Sequence, residues 1–273
     1  MHARNFWRFR RRLSRPAPLH LALAGLVWLW VVFYLLIALH GGAGFDSHAY
    51  WATRDGIRYV TDPGEQDAYL YSPAFAQAIR PLTLLPWPAF AVLWSLMAVA
   101  TYAWLARAAT GWWRAALFAL CLGDIVYGNV WWLFALILVF GFRYAALWAI
   151  PLVVKVTPAV GLVWFATRGE WRKLGVAVGA AAVIALLSFW LAPGAWADWT
   201  GLLQNGHATF PNTPLLRAIR LAAAVCVTLF AARASRPALL PAALWLASPM
   251  LSLNGIGVFA AALSIGGEDK RPR

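Results

Sequence analysis

From Leu19 to Leu39 the chain runs about 21 residues without a Lys, Arg, Asp or Glu. A helix rising 1.5 Å per residue needs about 20 such residues to cross the ~30 Å hydrocarbon core of a bilayer. Comparable apolar runs cover about 88–106, 174–192 and 213–232. Charged residues are 12% of the sequence, against about a quarter in a soluble domain. The alternating ten-residue strands of a membrane barrel are missing. The expected fold is therefore all-α, a polytopic transmembrane helical bundle of about 8–10 segments forming a single integral-membrane domain, 1–273.

Three other regions are apolar but interrupted. Between Arg114 and Arg143 the polar residues are Asp124 and Asn129; between Arg143 and Arg168 the break is Lys155–Val156–Thr157–Pro158. The third lies between Ser235–Pro237 and the basic tail Lys270–Arg273, and breaks at Ser248–Pro249 through Leu253–Asn254–Gly255. Keeping all the flanking basic residues on one side requires an even number of passes in each region. That gives paired half-length hairpins whose polar tips meet on the other side. Irregular backbone at membrane depth is tolerated only inside protein or along a wet cavity, so the tips are expected to line a recess. A single long tilted helix per region is the competing reading.

The 23 basic residues give a net charge of +13. Most lie in the N-terminal tail (1–18) and short connections, where membrane topology puts them, so no nucleic-acid partner is expected. Six Arg precede the first run, whereas the loop at 41–72 has two Arg and five of the ten acids, Asp46, Asp55, Asp62, Glu65 and Asp67. The tail is thus expected in the cytoplasm, in contact with anionic lipid, and the loop outside a bacterial-type plasma (inner) membrane. The first run exceeds a signal-peptide core and lacks an A-x-A-like site, so it reads as an uncleaved span. A short piece at 74–85 reads as an interfacial helix and 193–211 as a second outer loop. Cys121 and Cys226 sit in apolar segments and read as buried small hydrophobes.

With this topology the candidate polar residues share one side. They are Asp46, His48, Tyr50, Tyr69, Tyr71, Asn129, Lys155, Asn205, His207 and Asn254. Asp46 is either a hydrated loop charge or a general base. Lys155, in an otherwise apolar stretch, costs about 2.5–3.5 kcal/mol to insert; it either holds a phosphate or pairs with Asp124. Asp124 in turn caps a turn, pairs with Lys155 or binds sugar hydroxyls. Asn129 and Asn254 are turn formers beside glycines or ligand contacts. Arg217 and Arg220 either snorkel or meet a phosphate. His48 and His207 lack a third ligand, so no metal is expected. The motifs GxSxG, HExxH, GxGxxG and the Walker loop do not occur.

The order of motifs resembles glycosyltransferase family 87, integral-membrane mannosyltransferase-like proteins of the C-type glycosyltransferase fold. The matching residues are the loop opened by Asp46, Tyr69–Leu70–Tyr71–Ser72–Pro73, Pro81–Leu82 through Leu85–Pro86, and Leu93–Trp94. Tyr127–Gly128–Asn129, Lys155–Val156–Thr157–Pro158, Gly169–Glu170–Trp171–Arg172 and Ser248–Pro249 follow in order. The sequence departs from the family pattern at Ser72, where a Pro is usual, and at Leu253–Asn254–Gly255, where Trp and His often follow. Members commonly carry further spans, so the chain reads as shortened at its C-terminus.

The resemblance implies transfer of a hexose, for instance mannose, from a polyprenyl-phosphate sugar donor to a lipid or glycan acceptor, without a soluble cofactor. It implies Asp46 as general base. Lys155, with Arg217 or Arg220, would hold the carrier phosphate, and His48, Tyr50, Tyr71, Asn129 and His207 would contact substrate. The alternative is a non-catalytic protein that binds or moves polyprenyl-linked glycans.

Overall fold

The computed structural model describes residues 18–155, 159–205 and 213–265. The tail 1–17, Val156–Pro158, His207 and Lys270–Arg273 therefore lie outside it. Four apolar helices are long enough to cross a membrane. They are α1 (Pro18–Ile37), α4 (Trp87–Ala106), α10 (Trp171–Leu191) and α12 (Pro214–Arg233). Each agrees with its apolar run to within about three residues, because hydrocarbon thickness leaves helix length little freedom.

The interrupted regions are broken helices. The first comprises α5 (Trp112–Leu120), α6 (Leu122–Tyr127) and α7 (Trp131–Phe140). In the second, a 3₁₀ turn, Ala145–Trp148, leads into α8 (Ala149–Lys155), followed by α9 (Val160–Thr167). The third runs from the turn Pro237–Leu239 through α13 (Leu240–Leu246) and the 3₁₀ stretch Leu253–Ala261 to α14 (Ala262–Ile265). This is the paired-hairpin reading, not the single tilted helix. The half-helices form the centre of the bundle. Trp131, Phe134, Leu138, Trp148, Phe165, Leu240, Leu244 and Val258 are buried, while α1 and α10 turn most of their length outward.

The membrane-facing loops are more structured than expected. After α1 the backbone breaks at His40 and Gly41 and restarts as α2 (Phe45–Ala52), with Gly44 left-handed at its N-cap. The interfacial piece is α3 (Pro73–Thr83), buried along Phe75, Ala76 and Ile79. The stretch expected as an outer loop, 193–211, instead begins with α11 (Pro193–Asn205). Pro193 occupies the first helical position, where its missing N–H costs nothing. Trp196 Nε1 then donates to Ser188 Oγ at 3.0 Å and Trp199 Nε1 to the Leu70 carbonyl at 3.4 Å.

At the opposite end of the bundle, Arg168 joins three segments. Its guanidinium donates to Glu170 Oε1 (2.9 Å), the Ala232 carbonyl (3.2 Å) and Ser235 Oγ (3.1 Å). Lys173 Nζ donates to Glu170 Oε2 at 2.7 Å. Burial pushes the Glu170 carboxyl up, but these hydrogen bonds and charges outweigh it and leave its pKa below the usual value.

Candidate active site

Asp46 lies in the first turn of α2, where a carboxylate suits the positive end of the helix. What it faces is set by the α6–α7 turn. Asp124 is fully buried in α6 and accepts from Tyr102 Oη (2.5 Å), Trp132 N (2.8 Å) and Trp131 N (3.3 Å). It thereby caps the otherwise orphaned first N–H groups of α7. Of the three roles open to Asp124, the structure gives it this capping one; among the described residues no ion pair joins it to Lys155.

Gly128 takes the left-handed conformation at φ 68°. Any Cβ there would run into the side chain of Ser47. The turn is thus pressed directly onto α2. Gly44 N donates to the Val126 carbonyl at 2.7 Å and Trp94 Nε1 to the Gly128 carbonyl at 2.8 Å. The next residue, Asn129, is buried. Its Oδ1 accepts from Val130 N (2.7 Å), which leaves Nδ2 to donate to Asp46 Oδ2 (2.8 Å). A second amide, that of Asn254 in the third broken helix, lies close enough to act on this carboxylate electrostatically. Two of the three polar tips therefore meet on Asp46.

The tip of the second hairpin contributes Lys155, whose charge acts on both Asp46 and Asp124. Its Nζ lies over three rings: Trp131 at 4.8 Å, Tyr71 at 5.0 Å and Phe134 at 6.0 Å. Ring faces attract a cation without neutralising it, so the ammonium keeps its charge available to an anion. Its position depends on Ser72. The Ser72 hydroxyl donates to the Val153 carbonyl and Ser72 N donates to the Val154 carbonyl at 3.4 Å. Those carbonyls belong to the last turn of α8, where helical partners run out. A proline at 72 would supply neither donor.

Tyr50 donates from its hydroxyl to that of Tyr71 at 2.8 Å, and both are buried. They form an inner wall rather than a free surface. Tyr69 is buried as well, donating to the Ser72 carbonyl at 2.9 Å. The structure places His48 on Asp67, which it bonds through Nδ1, with its ring packed against Trp87 and Trp51. Asp67, one of the five acids of the first loop, is thus the partner of His48. Arg220 donates to the Ser248 and Pro249 carbonyls at 3.3 and 3.4 Å. It holds the chain leading to Asn254 rather than simply reaching for the interface. Arg217 lies one turn before it. His207 and the side chain of Asn205 lie outside the described residues.

Aromatic rings line the Lys155 side of the site. The cavities lie alongside. One of about 520 Å³ is bounded by Ile57–Val60 and α11, and one of about 300 Å³ by α2, Arg58, Asp67 and Tyr69. Sequence reasoning missed Ser72 as an anchor and Trp131 and Phe134 as the bed of Lys155. The Ser at 72 was visible as a departure, but not what it touched.

A bundle of four full spans and three broken helices, with a carboxylate, two amides and an ammonium gathered from different segments, defines a membrane protein with a polar site at one end. The sequence matches glycosyltransferase family 87 over residues 69–271, so the chain belongs to that family and is a membrane glycosyltransferase. No curated protein and no solved structure matches it.

Proposed function

We propose that the protein transfers a hexose, with mannose the first candidate, from a polyprenyl-phosphate sugar to a hydroxyl of a lipid or glycan acceptor on the extracytoplasmic side of the membrane. The observation that carries this reading is Asp46 held by the Asn129 amide with the Lys155 ammonium in electrostatic reach. Asp46 Oδ2 is engaged by Asn129, and Oδ1 is the oxygen assigned to take the acceptor proton. The acceptor oxygen attacks the anomeric carbon of the donor as the bond from that carbon to the phosphate oxygen breaks, inverting the centre. The proton ends on Asp46 and the electron pair on polyprenyl phosphate, whose growing negative charge Lys155 offsets. Sidedness follows from the six Arg of the N-terminal tail and the bias of basic residues to the cytoplasm.

The test is transfer from a polyprenyl-phosphate hexose by the purified protein and by Asp46→Asn. A positioned base is worth about 10²–10⁴-fold, so the variant should lose at least that much while still binding donor. Unchanged transfer removes Asp46 as base. Donor binding without transfer by the wild type favours a carrier or binding protein.

A further inference from the structure

The 520 Å³ cavity is built differently from the Asp46 site. One wall is Ile57–Arg58–Tyr59–Val60; the other is a single face of α11, Ala197, Asp198, Gly201 and Leu202. Arg58 and Asp198 are both exposed, and neither forms an ion pair among the described residues. The volume is in the range of small-molecule sites. Equal and opposite charges on facing walls do not favour a net anion or cation. They favour a neutral ligand rich in groups that both donate and accept, because a carboxylate only accepts and a guanidinium only donates. The Tyr59 ring adds an apolar face, its hydroxyl being committed to the Tyr71 carbonyl at 2.8 Å.

Both walls are tied to the candidate active site. Tyr59 bonds Tyr71, whose ring lies against Lys155, and Trp199 on α11 bonds the adjacent Leu70 carbonyl. The cavity also adjoins the 300 Å³ one, sharing Arg58 and Val60, and the latter runs along Ala49 and Ala52 of the helix that carries Asp46 and along Thr53 just after it. An elongated ligand thus has a track beside the site.

We propose that this groove, resting on the reading of the protein as a hexosyltransferase, binds the glycan part of the acceptor through Arg58, Tyr59 and Asp198. Gly201 provides a clean probe, since a Cβ there meets nothing within 4 Å. A large side chain at 201 starts from open space and is expected to occupy the groove, and Gly201→Ala is a control that should firm the helix.

The experiment uses the full chain in nanodiscs, without donor, and measures binding of mannotetraose, maltotetraose and cellotetraose by saturation-transfer NMR. The wild type and Gly201→Ala should bind at least one of them alike. Gly201→Trp and the double change Arg58→Ala, Asp198→Ala should weaken that binding at least tenfold. No binding of any tetrasaccharide by the wild type, equal binding by Gly201→Trp, or equal binding by the double variant overturns the assignment. Because no transfer is measured, these outcomes are independent of whether Asp46 is the base.

Discussion

Asn129 donates from Nδ2 to Oδ2 of Asp46 at 2.8 Å, joining residues 83 positions apart. Its own Oδ1 is fixed by Val130 N, so the amide cannot turn over without losing a second bond. A hydrogen bond to a charged group is worth about 1.5–3 kcal/mol. Asn129→Ala is therefore expected to lower kcat by about 10–100-fold, with little change in KM for donor. A rise in KM with kcat unchanged would mean that Asn129 serves binding and does not hold the base.

Ser72 offers a separate handle on Lys155. Ser72→Ala leaves the Val153 carbonyl without its hydroxyl donor and Ser72→Pro removes the N–H as well. An unsatisfied buried group costs about 1–3 kcal/mol. Melting of the detergent-solubilised protein should fall in the order wild type, Ser72→Ala, Ser72→Pro, with KM for the polyprenyl-phosphate donor rising in the same order. Equal melting temperatures for all three would show that the end of α8 is held by other contacts.

Sidedness can be read chemically. Val60 is 84% exposed in the first loop. With Cys226, which is exposed, changed to Ser, Val60→Cys in intact cells should react with a membrane-impermeant maleimide without permeabilisation. Labelling only after permeabilisation would invert the topology and remove the extracytoplasmic assignment.

Glu170 gives a pH signature at the other end of the bundle. Its carboxyl is held below the ordinary value by Lys173 and Arg168 despite partial burial. A depressed carboxylate contributes stability that is fully present above the unfolded pKa of about 4.3 and is lost as pH falls through the folded value. The wild type should melt above Glu170→Gln at neutral pH, with the gap closing only below about pH 4. The gap should be small and shrink with salt, because the partners are part exposed.

The four spans were legible because a bilayer dictates both their length and their scarcity of charge. The broken helices were legible from Arg114, Arg143 and Arg168, whose placement on one side favours paired passes over one long tilted helix. Helix α11 was not: Pro193, Gly194 and the scattered Trp, Asp and Asn residues read as a loop, and only docking of Trp196 and Trp199 makes the helix worthwhile. At the site, Asn129 and Lys155 stood out as polar residues in apolar stretches, and Asp46 through the family resemblance. The His48–Asp67 pair did not, since it is closed by a loop whose path no local pattern encodes. Trp131 and Phe134 looked like ordinary apolar filler, because a ring that carries a cation has the same sequence signature as one that fills a core.

The break between α1 and α2 has a mechanical meaning. Gly44 N bonds to the Val126 carbonyl, not to a turn of its own helix, while His40 and Gly41 depart from helical geometry just before it. Spans answer a thicker or thinner bilayer by tilting, and the outward-facing α1 has little packing to resist that. A change in the tilt of α1 is therefore expected to be taken up at residues 40–44, with the start of α2 staying tied to the α6–α7 turn. The Asp46–Asn129 contact would then be insulated from the thickness of the surrounding lipid.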